Sequence, residues 1–89
     1  MNRMPDTPAT TQVTVRYFAA AKAAIGMPEE SVDVREITDI AALIARAPES
    51  ARPVLERCSF LVDGASTTDL ATPLAGARLV DALPPFAGG

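Results

Sequence analysis

Histidine and tryptophan are both absent from this 89-residue chain, and there is one cysteine, Cys58. Without histidine, most pairings of a nucleophile with a general base fall away, and so does every His/Cys metal cluster. A lone cysteine makes no internal disulfide, which fits a reducing, cytoplasmic setting. Cys58 sits between Glu56-Arg57 and an apolar run, the place of a small buried hydrophobe. Basic clusters are also missing: the net charge is −3, and no stripe of Lys/Arg interleaved with aromatics argues for nucleic acid as a partner. No apolar run reaches transmembrane length, and MNRMPDTPATTQ has no secretory-type core, so no membrane role is expected. Aromatics make up only 4% of the chain, so the core must be aliphatic, built from Val, Leu, Ile and Ala.

At this length the chain is one domain, too small to enclose a large cleft of its own. Residues 1–11, rich in Pro and Thr, read as a disordered tail. Residues 12–18, QVTVRYF, alternate: Val13, Val15 and Tyr17 fall on a core face, and Phe18 on the opposite one. The Ala-rich run 19–25 predicts a short helix, closed by Gly26 and Pro28. ESVDVR over 30–35 predicts a second strand with Val32 and Val34 inward. Thr38 or Asp39 caps a helix carrying Ile40, Leu43 and Ile44 on one stripe, stopped by Pro48. A shorter helical piece follows over 49–58, with Val54 and Leu55 inward and Pro53 as an interruption.

Residues 59–62 predict a strand closed by the turn pair Asp63-Gly64, with a short strand near 66–68. The segment 69–77 is turn-rich. Residues 78–83 predict a final strand with Val80 and Ala82 inward. Leu79, Asp81 and Leu83 then take the other face, which the charge on Asp81 marks as exposed. Strands interrupted by helices in this order predict an α+β domain over 12–83, one sheet with helices on one face. Phe18 and Leu83 together suggest an exposed apolar patch and thus a partner surface.

The sequence closes with ALPPFAGG over 82–89. Pro84 and Pro85 cannot continue a sheet and favour an extended course, so 84–89 reads as an arm leaving the domain. Phe86 offers an apolar anchor. Ala87, Gly88 and Gly89 are slim enough to thread a narrow channel. The α-carboxylate of Gly89 is a poor electrophile, but as an acyl-adenylate it becomes reactive. An arm of this kind suits a carrier whose reacting group is main chain, modified by another enzyme.

VTVRYFAAAKAAIG at the front and TPLAGARLVDALPPFAGG at the back resemble the small subunit of molybdopterin synthase, within the ubiquitin-like sulfur-carrier family. The resemblance spans residues 12–89 and implies a β-grasp fold with a mixed sheet. It implies that the chain is a non-catalytic carrier subunit, with no bound cofactor or metal of its own. The expected partners are an adenylating, E1-like activating enzyme that uses ATP, a sulfur donor, and the synthase large subunit. Gly89 would be adenylated and then thiocarboxylated. Residues 84–88 would insert with it, and its sulfur would pass to cyclic pyranopterin monophosphate. Phe18 and Leu83 match positions that dock partners in the family; within 47–68 the resemblance assigns no further docking residue. Two alternatives keep the Gly-Gly chemistry: a carrier for thiamine, cysteine or tRNA thiolation, and a modifier joined to lysines of other proteins.

Overall fold

The computed structural model describes residues 11–85. The expectations placed on residues 1–10 and 86–89, including the disordered tail apart from Thr11, and Phe86, Ala87, Gly88 and Gly89, lie outside the described residues; Thr11 itself is held beside Val34, its carbonyl accepting from the Val34 amide at 3.0 Å.

Among the described residues the elements follow the order β1 (Gln12–Tyr17), α1 (Ala19–Ile25), β2 (Glu29–Asp33), α2 (Ile40–Ala45), a 3-10 turn (Glu49–Ala51), α3 (Arg52–Glu56), β3 (Ser59–Val62), β4 (Ala65–Thr67) and β5 (Leu79–Leu83). The five strands form one sheet in the order β2-β1-β5-β3-β4. β1 and β5 pair in parallel at its centre, and the other neighbours are antiparallel. The first and last strands are therefore side by side. That juxtaposition brings the Phe18 end of β1 to the point where the chain leaves the sheet.

The alternation of β1 holds: Val13, Val15 and Tyr17 are buried while Phe18 is exposed. Val80 and Ala82 of β5 and Phe60 of β3 complete the inner face. Helix residues Ala21, Ile40, Leu43, Ile44 and Leu55 close over it. Phe60 is the largest fully buried side chain, in a core otherwise made almost wholly of aliphatics. Cys58 is part of this core, as the sequence suggests.

Local chemistry accounts for the boundaries. Gly26 ends α1 in the left-handed region at φ 91°, and its amide donates to the Lys22 carbonyl at 2.8 Å. Asp39 begins α2: its carboxylate accepts from the Ala42 amide at 2.8 Å, so of the two candidates Asp39 is the cap. Asp63 and Gly64 both take positive φ, 49° and 89°, which is what a tight hairpin between β3 and β4 requires.

Two expectations are corrected. Pro53 does not interrupt the third helix. It stands within the first turn of α3, where an amide has no helical partner to lose. Asp81 is not exposed by its charge: only 8% of the residue is accessible, because Arg16 of β1 lies over it.

Candidate docking surface and the exit of the final strand

The outer face of the sheet is built by the residues that alternate with the core. In register, Arg16 of β1 lies opposite Asp81 of β5, and Asp81 opposite Leu61 of β3. Leu83 lies opposite Ser59 at the end of β5. Arg16 donates from Nε to Asp81 Oδ1 at 2.7 Å and from Nη2 to Oδ2 at 3.0 Å, a bidentate pair. The Asp81 hydrogen bond raises the guanidinium above its ordinary value. The same guanidinium carbon sits 5.6 Å from the centre of the Phe18 ring, in the range of a cation–π contact.

Phe18 is held at its backbone. Its amide donates to the Ala82 carbonyl at 3.3 Å, and its carbonyl accepts from Ala21 at 3.0 Å. Ala19, the next residue, takes φ 50°, a left-handed conformation uncommon for a side chain with a Cβ. This turn starts α1 directly after Phe18, a residue that is 38% exposed. The structure therefore places Phe18 and Leu83 at the same end of adjacent strands, on the face away from the helices. It adds a residue that sequence reasoning missed, Leu61, half-exposed on the same face. The period-two pattern of SFLV contained the signal, since burying Phe60 turns Leu61 outward.

Beyond Leu83 the strand ends, as the two prolines dictate. Pro84 is half-buried and Pro85 exposed. Both line an open groove of about 360 Å³ with Ala20 of α1, Pro53 and Val54 of α3, and Arg57 directly after α3. The lining is apolar apart from Arg57, which forms no ion pair among the described residues.

The remaining polar chemistry is structural. The Tyr17 hydroxyl donates to Glu30, and Arg46 of the α2 C-cap donates to both Glu30 oxygens at 3.0 and 2.8 Å. This network ties β1, β2 and α2 together. Cys58 donates to the Val54 carbonyl at 3.4 Å, and burial pushes its thiol up to about 11. That is the opposite of an activated nucleophile. Among the described residues, no three His, Cys, Asp or Glu side chains gather where they could hold a metal ion. Among the same residues, no helix is long and apolar enough to cross a membrane.

No protein-family model matches the chain, and no curated protein matches it in sequence. Solved structures do. SAMP1 from Haloferax volcanii superposes with a TM-score of 0.63 at 21% identity, over 88% of this chain and 99% of that one. The Haloferax volcanii HVO 2177 protein gives 0.66 at 19% identity, over 98% and 94%. A chain of the complex of subunits 1 and 2 of molybdopterin-converting factor from Helicobacter pylori gives 0.60 at 25% identity, over 88% and 99%. With the mixed five-stranded sheet, these likenesses show that the chain has the ubiquitin-like β-grasp fold.

Proposed function

We propose that this β-grasp chain is a sulfur carrier, the small subunit of a molybdopterin synthase. The observation that carries the reading is spatial. The outer face, on which Phe18, Leu61 and Leu83 flank the Arg16–Asp81 pair, ends where β5 passes into Pro84-Pro85, and Phe-Ala-Gly-Gly follows in the sequence. A partner seated on that face would receive the arm. The likeness to a chain from a complex of subunits 1 and 2 of molybdopterin-converting factor supports a large subunit as one such partner.

In this reading, an activating enzyme supplies the ATP site and the catalytic side chains. A Gly89 carboxylate oxygen attacks the α-phosphorus of ATP, and pyrophosphate leaves. A donor delivering sulfur at the oxidation level of sulfide then attacks the acyl carbon. AMP leaves, taking the carboxylate oxygen bound to phosphorus, and a thiocarboxylate remains. Inside the large subunit, the sulfur passes to cyclic pyranopterin monophosphate, and two such transfers complete a dithiolene. The chain itself contributes a docking face, a stiff exit and a slim terminus. It contributes no acid, base or nucleophilic side chain, in keeping with the raised Cys58 thiol and the absence of histidine.

The test is the intact mass of the chain after incubation with ATP, an activating enzyme and a sulfide source. Exchange of one oxygen for sulfur, lost when Gly89 is deleted, is the expected result. Sulfur transfer to the pterin precursor with the large subunit then assigns the pathway. An unchanged mass, with the same enzyme active on another carrier, overturns the reading. Ladders of heavier conjugates in cell lysate would redirect it to a protein modifier, which shares the acyl-adenylate.

A further inference from the structure

The groove at the end of β5 lies on the helical side of the exit, beside the outer docking face. Ala20 comes from the first turn of α1, Pro53 and Val54 from α3, and Pro84 and Pro85 from the chain just past β5. Ala20 stands two residues after Phe18, so groove and outer face meet around the start of α1. At about 360 Å³ the groove has the size of a small binding pocket. Ala20, Pro53 and Pro85 are exposed in it, and Val54 and Pro84 are half-buried. Its polar member, Arg57, is exposed directly after α3. The guanidiniums of Arg16, Arg35 and Arg46 are each held by a carboxylate of the chain. That of Arg57 has no ion pair among the described residues, not even with the neighbouring Glu56. An apolar wall with an unpaired planar cation on its rim fits an apolar side chain and a carboxylate carried on one segment, since the guanidinium fork matches a carboxylate in shape and charge.

We propose that this groove docks a segment of the large subunit in which an apolar side chain stands next to an Asp or Glu. The apolar group enters against Val54 and Pro84, and the carboxylate pairs with Arg57. The inference rests on the carrier reading for the identity of the partner. The groove and the outer face lie on opposite sides of the point where β5 ends. A partner that fills both therefore grips Pro84-Pro85 from two sides and fixes the direction in which the chain leaves the sheet. The two contacts differ in kind. The outer face offers Phe18, Leu61 and Leu83, whose apolar contacts carry little sign of charge. The groove adds a cation, so it rejects a basic segment of the same shape and supplies selectivity as well as grip. In a chain of net charge −3 that attraction must be local, which an unpaired Arg57 provides.

The experiment is calorimetric titration of the full chain with the large subunit, at low salt and again at about 1 M, where the screening length is roughly 3 Å. Arg57→Gln should weaken binding about threefold to fivefold at low salt, and Arg57→Glu at least about tenfold. Both gaps should close at the higher salt. Ala20→Gln narrows the groove without changing its charge and should weaken binding by a similar factor at both salts. Ala20 and Arg57 are exposed, so each variant should melt with the native chain. Full affinity in Arg57→Glu or in Ala20→Gln overturns the proposal, and so does an Arg57→Glu loss that salt leaves unchanged. Self-association of the chain alone, seen by sedimentation and abolished in Arg57→Glu, would assign the groove to a second copy and overturn it as well. A chain that gains sulfur but binds the large subunit equally well in all these variants rejects the groove alone. A chain whose binding depends on Arg57 but which never gains sulfur rejects the carrier reading alone.

Discussion

Arg16 Nε lies 2.7 Å from Asp81 Oδ1 across the parallel pair that joins the first strand to the last. The two members are not equivalent. The Asp81 side chain is 11% exposed and the Arg16 side chain 43%. Removing the arginine leaves a covered carboxylate without its cation, whereas removing the carboxylate leaves a guanidinium that can turn to water. Arg16→Ala should therefore destabilise the fold more than Asp81→Ala, and the double variant should recover part of the loss. Urea unfolding of the three variants measures this; equal single effects that simply add would refute it.

This pair lies beyond what the local sequence pattern specifies. The β1 pattern revealed the core residues Val13, Val15 and Tyr17, and the β5 pattern revealed Val80 and Ala82, because burial on one sheet face enforces a period of two. The same rule put Phe18 and Leu83 outside. It could not say that β1 and β5 are neighbours, since parallel pairing between distant segments leaves no local signal. Without that neighbour relation, Asp81 read as a mark of exposure, and the Arg16 that covers it went unnoticed. For Leu61 the alternation of β3 gives the outward direction, but its nearness to Phe18 and Leu83 depends on the pairing of β3 with β5. Pro53 in the sequence is equally a break or a helix start until the boundary is known.

Stability should fall in acid. Glu30 lies below its ordinary 4.5, first through the Arg46 hydrogen bonds and then through the Tyr17 hydroxyl. The Arg35 side chain and amide hold Asp33 at about 2, and the amides of Arg78 and Leu79 hold Asp63 below 3.8. Each folded carboxylate binds a proton less readily than the unfolded one. Their stabilisation is thus complete above the ordinary carboxylate range and is lost as pH falls through the folded values. Asp63 is exposed and Asp33 is paired with an Arg35 side chain that is 72% exposed, whereas the Arg46 paired with Glu30 is 39% exposed, so Glu30 should dominate. The melting temperature should drop between about pH 6 and about pH 3, and Arg46→Gln should flatten that drop. An unchanged slope in Arg46→Gln would contradict this.

Ala19, at φ 50°, should tolerate glycine where its helix does not. A left-handed conformation costs an L-residue about 1–2 kcal/mol, and exchanging Ala for Gly costs roughly 0.5–1 kcal/mol in chain entropy. Ala19→Gly is thus expected to be neutral or to stabilise by up to about 1 kcal/mol. Ala23→Gly, exposed within the same helix, should cost about 1 kcal/mol. Paired denaturation curves give both values. Equal losses at the two positions would show that Ala19 stores no strain.

Cys58 should resist alkylation in the folded chain. With a thiol near 11, the thiolate is scarce at neutral pH. An unperturbed cysteine at about pH 8 holds on the order of a hundredfold more thiolate or greater. Iodoacetamide labelling at that pH should be slow in buffer and rapid in urea. Fast labelling of the folded chain would mean that Cys58 is reached without unfolding.

The outer face gives the prediction tied most closely to function. If a large subunit docks there, Phe18→Ala, Leu61→Ala and Leu83→Ala should each weaken binding by roughly tenfold, about 1.4 kcal/mol. The fold should change little, since all three side chains are partly open to water. Leu70→Ala is the control. Leu70 is equally an exposed apolar residue at 36%, but its carbonyl accepts from Ala41 of α2, in the helical layer behind the sheet. Calorimetric titration with the large subunit should therefore separate the two sets. Leu61 decides between a local and an extended contact. Phe18 and Leu83 lie at the strand ends from which the arm departs, so a partner gripping only the arm would feel both. Leu61 stands on the next strand over, opposite Asp81. A loss there requires the partner to lie across the sheet and over the Arg16–Asp81 pair, whereas unaltered affinity would confine the contact to the exit of β5.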